Sequence, residues 1–197
     1  MSVYFSERKF IQSIIIAFAG LGISLVVGFI IVLFIEHDTT MNLINTLFFT
    51  PDVAEYINPV VLFITIICLY TTPGPGLIIW LINVDPNMFF GLVSGILAAS
   101  ILTWTIVGIL IGYITRNPQR SLFLGILTVT FSLVFTIIME LVSFGSAGLL
   151  FTGIVGVTAI GIIILMTVAF SLIMVVYCAV ISAVSATLIN KFVSPEI

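Results

Sequence analysis

Apolar residues in this chain neither alternate nor keep to one face. They run together. Five long apolar stretches cover residues 10–35, 60–84, 88–115, 121–143 and 149–190. A helix rises about 1.5 Å per residue, and the hydrocarbon of a bilayer is about 30 Å thick, so each stretch has the length to cross it. Helices that are apolar all round belong in lipid or in a very large core. The polar remainder is small. The one sizeable polar segment is a loop at 36–58, and Leu43, Ile44, Leu47 and Phe48 within it recur at helical spacing. They predict a short helix lying in the interface plane, and Thr50-Pro51-Asp52 reads as a second helix start.

The second stretch is interrupted at its centre by Thr71, Thr72, Pro73, Gly74, Pro75 and Gly76. Proline removes a backbone donor and clashes with the preceding turn, while glycine adds backbone freedom, so no helix continues through this segment. About 12 residues remain on each side, reaching roughly 18 Å, which is near half the hydrocarbon thickness. Asn58-Pro59 and Asp85-Pro86 supply a cap and a first-turn proline for the helices that begin there. The stretch 60–84 is therefore either one broken span or a re-entrant V that returns to the side it came from.

Charge placement arbitrates. The five Lys and Arg residues are Arg8, Lys9, Arg116, Arg120 and Lys191. With a cytoplasmic N-terminus and a V at 60–84, all five fall inside, and Glu36, Asp38, Asp52, Glu55 and Asp85 fall outside. A full crossing at 60–84 would divide the basic residues between both sides. The positive-inside tendency favours the V.

The last stretch is too long for one crossing, since an unbroken helix over 149–190 would reach roughly 63 Å. Gly145, Gly148, Gly153, Gly156 and Gly161 crowd its approach and first part. They predict a break there, followed by a long tilted span over about 158–190. Two short spans with a buried turn are the alternative, which would move Lys191 to the other side. The order span, broken segment, span then occurs twice, as in a parallel structural repeat. No residue-level similarity between the halves supports a repeat.

Composition narrows the picture without changing it. Of 197 residues, 61% are hydrophobic and 7% charged, where a soluble domain carries roughly 25% charged residues. So few charges cannot cover a soluble surface, and the net charge of −3 offers no basic surface for nucleic acid. Residues 1–197 are expected to form a single transmembrane domain. The first stretch is longer than a signal core and lacks a clear small-residue cleavage site, so it is expected to be a retained span. Cys68 and Cys178 both lie within apolar stretches and read as small buried hydrophobes rather than a disulfide.

Candidate functional positions are few. Small residues at four-residue spacing form stripes at Gly91, Gly95 and Ala99, at Gly108 and Gly112, and at Ala179, Ala183 and Thr187. In lipid, such faces let helix backbones approach closely. They serve either seams within this bundle, which a protein of this size needs, or a face for another membrane subunit. The Thr71–Gly76 break places non-helical backbone at membrane depth, where it persists only if buried in protein or lining a wet cavity. Its carbonyls and hydroxyls suit an ion or polar solute. Glu140 is the acidic residue inside a predicted span, a position that points to proton or ion handling. It also lies near the outer interface, where snorkelling to water explains it without function. Glu36-His37-Asp38 reads as a solvated loop start, because adjacent residues rarely all face one metal. Arg116-Asn117-Pro118-Gln119-Arg120 reads as a tight cytoplasmic turn anchored at lipid headgroups. Trp80 and Trp104 suit packing or depth anchoring.

No nucleophile set, paired intramembrane carboxylate or phosphate-binding loop is evident. A single histidine also argues against haem. The expectation is an all-α polytopic integral membrane protein with four full transmembrane helices, at 10–35, 88–115, 121–143 and 158–190, plus a re-entrant broken helical hairpin at 60–84. It sits in the cell membrane with both termini cytoplasmic, is not an enzyme and needs no cofactor. Its expected partners are the lipid bilayer and other membrane subunits or further copies of itself. The expected role is a non-catalytic subunit of a larger membrane complex. The alternative is a channel or small-solute or ion transporter built on 71–76.

Overall fold

A computed structural model of the protein describes residues 7–35, 37, 41, 45, 59–71, 86–148 and 154–193. Among them are five α-helices: α1 (Glu7–Ile35), α2 (Pro59–Thr71), α3 (Pro86–Thr115), α4 (Pro118–Gly148) and α5 (Ile154–Val193). Four contain apolar stretches long enough to cross a membrane, at Phe10–Ile35, Ala98–Thr115, Pro118–Val142 and Thr167–Phe192. The fold is that of an α-helical, multi-pass membrane protein. Residues 72–85, which hold most of the expected hairpin, lie outside the described residues, as do the expected interface helix at 43–48 and the start at Thr50-Pro51-Asp52.

Local chemistry sets the helix ends. Three helices begin on proline, at Pro59, Pro86 and Pro118. Proline has no N–H to leave unsatisfied there, and its fixed φ suits the first turn. The turn between α3 and α4 is tight. The Arg116 amide donates to the Gly112 carbonyl at 3.0 Å, and Arg116 takes the left-handed conformation with φ 51°, closing α3 as a glycine normally would. Asn117 then caps α4, its Oδ1 accepting from the Arg120 amide at 3.1 Å.

The glycine-rich approach to the last stretch is more helical than the sequence suggests. α4 continues through Gly145 to Gly148, and α5 starts at Ile154, so Gly156 and Gly161 lie inside a helix. Glycine costs a helix about 1 kcal/mol in water. In hydrocarbon an unpaired backbone group costs more than that, so helix prevails. α5 runs unbroken for 40 residues, about 60 Å, roughly twice the hydrocarbon thickness.

Contacts between helices fix their directions. Ser121 lies against Ser182 at one end of α4 and Glu140 against Thr167 near the other, so α4 and α5 are antiparallel. Gly108 meets Cys178 and Ile181, and Gly112 meets Ser182, Ser185 and Ala186, so α3 runs parallel to α5. In α2, Thr65 reaches the Met139 carbonyl and Cys68 reaches Thr136, so α2 is antiparallel to α4. α1 packs Gly20 on Thr128 and Phe29 on Phe63 of α2, so it runs parallel to α4.

This register gathers the basic residues. Arg8 precedes Gly20 by the same number of residues as Arg116 precedes Thr128, so both stand at a similar distance from that contact. The Asn190 amide donates to the Arg116 carbonyl, which brings Lys191 to the α3–α4 turn. Arg8, Lys9, Arg116, Arg120 and Lys191 thus share one end of the bundle. α2 starts at the opposite end, and its 13 residues reach about 20 Å, roughly half the length of α4.

The core sits between α3, α4 and α5: Trp104, Val107, Ile111, Leu124, Val129, Met174 and Cys178. Outward faces carry exposed apolar side chains such as Phe18, Phe34, Leu165 and Val176, as lipid-facing helices should.

Candidate functional site

Many polar residues of the helices are buried. The buried polar side chains include Ser121, Thr128, Ser132, Thr136 and Glu140 on α4, Thr167, Ser171 and Ser182 on α5, and Thr65 on α2. On α4 these positions are spaced by seven and then by four residues along one stripe, which is the face a helix presents to its neighbours. Most threonine hydroxyls donate to the carbonyl four residues back: Thr65 to Val61, Thr103 to Ala99, Thr128 to Leu124 and Thr136 to Ser132, at 2.7–2.8 Å. That local bond satisfies a hydroxyl where water is absent.

Glu140 stands at the end of this stripe away from the basic residues. It is 1% exposed. Its Oε1 accepts a hydrogen bond from the Thr167 hydroxyl at 2.9 Å. Its Oε2 is buried with no hydrogen-bond partner among the described residues, and so is the Ser171 hydroxyl, one turn along α5 from Thr167. From α2, the Cys68 thiol is hydrogen-bonded to Thr136 and lies within electrostatic reach of the Glu140 carboxyl. Thr65 completes the α2 side, donating to both Val61 and Met139 carbonyls. Three helices thus enclose a carboxyl, a thiol and several hydroxyls. Glu140 does not snorkel to water, as its position near a helix end suggested. Its stripe faces the bundle, and α2 covers it.

The charge environment is one-sided. Residues 10–35, 59–71, 86–115 and 154–190 contain no charged side chain. Arg120 is 20 positions from Glu140 on the same helix, about 30 Å away. All five basic residues are at that distant end, so none of them offsets a charge on the carboxyl.

The small-residue stripes have local explanations. A Cβ on Gly112 would come within 2.7 Å of the Ser182 carbonyl and 2.8 Å of the Ala186 amide. One on Gly108 would meet Ile181 at 2.9 Å, and one on Gly125 would meet Ser182 Oγ at 2.8 Å and Ala179 Cα at 3.0 Å. Gly108, Gly112 and Ala179 therefore close the α3–α5 and α4–α5 seams of this chain. Ala99 is buried and Ala183 half-buried. Gly91 and Gly95 lie in α3, with surroundings outside the described side chains. Thr71 ends α2, and Thr72, Pro73, Gly74, Pro75 and Gly76 lie outside the described residues, as does Trp80. Trp104 is in the core.

Sequence reasoning passed over Thr65, Thr136, Thr167 and Ser171, and read Cys68 only as a small buried hydrophobe. A signal existed for the α4 group: Thr128, Ser132, Thr136 and Glu140 recur every four residues within an otherwise apolar helix. Comparison with protein families, with curated proteins and with solved structures finds no match for this chain.

Proposed function

We propose that the chain is a channel or transporter that carries a small ion or polar solute, using the segment at 71–76 and the polar seam between α2, α4 and α5. The carrying observation is the Glu140 carboxyl, buried within a span and turned into that seam. A buried intramembrane carboxyl is costly, so its retention points to use. The reading includes a re-entrant hairpin at 60–84. In its support, α2 ends about halfway along α4, and α3 begins at the end where α2 began. It also includes both termini in the cytoplasm of a cell membrane, supported by the five basic residues at one end of the bundle.

The test is reconstitution in sealed vesicles. Purified protein should dissipate an imposed gradient of protons or monovalent cations faster than empty vesicles. The paired change Gly74→Leu with Gly76→Leu should abolish the flux while the protein still folds. No flux of any ion or small polar solute tried would overturn the reading. For orientation, Arg116→Cys should react with an impermeant thiol reagent from the cytoplasmic side alone. Labelling from outside would sink the V topology.

A second reading keeps the chain as a non-catalytic subunit that packs against other membrane proteins or another copy of itself. One observation favours it: Ala19 and Gly22 are exposed on α1, and nothing lies within 4 Å of where a Gly22 Cβ would sit. That is an open small-residue face of the kind helices use to associate. Neither reading involves catalysis, a cofactor or nucleic acid.

A further inference from the structure

We infer that Glu140 is a proton-binding site, and that H+ is the ion handled by the seam between α2, α4 and α5. The identity of the ion rests on the transport reading above; the binding site itself does not.

The donor set decides between a proton and a metal cation. A hard cation such as Na+ or Ca2+ wants about six oxygens with lone pairs turned toward it. Here Glu140 Oε1 already accepts from Thr167. The Thr136 hydroxyl donates to Ser132 and meets the Cys68 thiol. Sulfur is a soft donor, poorly suited to a hard cation. What is left open is Oε2 of Glu140, with the Ser171 hydroxyl also without a partner. One carboxylate oxygen and one hydroxyl fall far short of six oxygens for a metal ion, and they suffice for a proton.

Charge balance leads to the same ion. The carboxylate carries −1, and no basic side chain of α1 to α5 lies near it. Taking one proton from water onto Oε2 forms an O–H bond and leaves a neutral carboxyl. Returning that proton to water restores the anion. Neutrality is then reached without a counter-ion, in a place where an unpaired charge is costly. Among the described residues, the titratable group within electrostatic reach of Glu140 is Cys68 of α2. From α5 the facing groups are the neutral hydroxyls of Thr167 and Ser171. α1 and α3 present no charged side chain along their apolar lengths, and His37, two residues past the end of α1, is exposed. The hydroxyls offer a short relay beside the carboxyl, since each both donates and accepts.

The test uses a hydrophobic carbodiimide on the full chain in lipid vesicles. The reagent adds to a protonated carboxyl in hydrocarbon and leaves a stable adduct of defined mass. Peptide mass analysis should find the adduct at Glu140, falling as the pH of labelling is raised, and unchanged by Na+ or K+ at fixed pH. Glu140→Gln keeps the side-chain shape and should lose the adduct at that position while unfolding at the same temperature. Absence of an adduct at every pH in folded protein would overturn the site. Suppression by Na+ at fixed pH would also overturn it and assign the carboxyl to a metal cation. Proton flux in the same vesicles separates the two claims. A pH-dependent adduct without flux leaves the proton site standing and removes the transport reading. Proton flux undiminished in Glu140→Gln removes Glu140 from the pathway and leaves transport in place.

Discussion

The two ends of the α4–α5 seam use the same helices and similar residues, with opposite outcomes. At the basic end, Ser121 and Ser182 bond reciprocally. The Ser121 hydroxyl donates to the Ser182 carbonyl at 2.7 Å, and the Ser182 hydroxyl donates to the Ser121 carbonyl at 3.0 Å. Gly125 and Gly112 let the backbones close over that pair. At the other end, Thr167 meets one oxygen of Glu140, while the second oxygen and the Ser171 hydroxyl have no hydrogen-bond partner among the described residues. A buried polar group that is fully matched stabilises a seam, and one that is left unmatched costs about 1–3 kcal/mol. The matched end holds the bundle together. The unmatched end costs stability, which is what a site kept for a ligand looks like.

The largest expected effect breaks the matched end. Gly112→Ala drives a Cβ to within 2.8 Å of backbone and side-chain atoms of α5, and a helix backbone cannot rotate away as a flexible side chain would. The expected loss is about 3 kcal/mol, the upper part of the range for overpacking. Unfolding in mixed micelles measures it. A Gly112→Ala protein as stable as the parent would mean that α3 and α5 do not approach this closely.

At the unmatched end, Thr167→Val keeps the side-chain shape and removes the donor to Oε1. The carboxyl then has no hydrogen-bond partner, and the expected loss is about 1–3 kcal/mol in the same unfolding assay. Thr167→Ser keeps the donor and should recover most of it. Equal stability of the valine and serine variants would show that the 2.9 Å contact contributes nothing. Smaller still is Ser182→Ala. It removes hydrogen bonds to carbonyls already engaged in their own helices, and such contacts between membrane helices average about 0.6 kcal/mol. A double-mutant cycle with Ser121→Ala reads the coupling directly. A coupling larger than the Thr167 effect would reverse the ranking of the two ends.

How much of this was legible in the chain depends on what each residue's role rests on. Span positions were readable because they follow from apolar length, and helix starts at Pro59 and Pro86 because proline acts locally. The small residues at Gly108, Gly112 and Ala179 were readable as close contacts, but not as contacts with one another, since a stripe does not name its partner. Glu140 was visible as an intramembrane carboxyl, yet its distance from Ser121 along the helix suggested snorkelling. Direction around the helix axis decides between water and the seam, and that follows from where α2 packs, which no local pattern encodes. The nearness of Cys68 and Thr167 to Glu140 was invisible for the same reason. They matter through a neighbour on another helix. Gly156 and Gly161 misled because a helix-breaking tendency measured in water is overruled where an unbonded backbone has no water to turn to.

The smallest expected effect sharpens the contrast with a glycine that closes nothing. Gly20 and Gly22 are two residues apart on α1. A Cβ at Gly20 would meet Thr128 Cγ2 at 2.7 Å, while one at Gly22 meets nothing within 4 Å. Gly22→Ala should therefore leave folding intact or stabilise the helix by up to about 1 kcal/mol, the propensity difference between the two residues. Gly22→Leu should be similarly harmless to an isolated chain, because its side chain points where lipid is. If the exposed face of Ala19 and Gly22 instead receives another helix, Gly22→Leu strips that partner away during mild detergent extraction while leaving the melting of this chain unchanged. Loss of association without loss of folding would move the weight from the transport reading to the subunit reading. An unchanged oligomeric state would leave lipid as the neighbour of this face, and the unmatched end of the α4–α5 seam as the place where the protein acts.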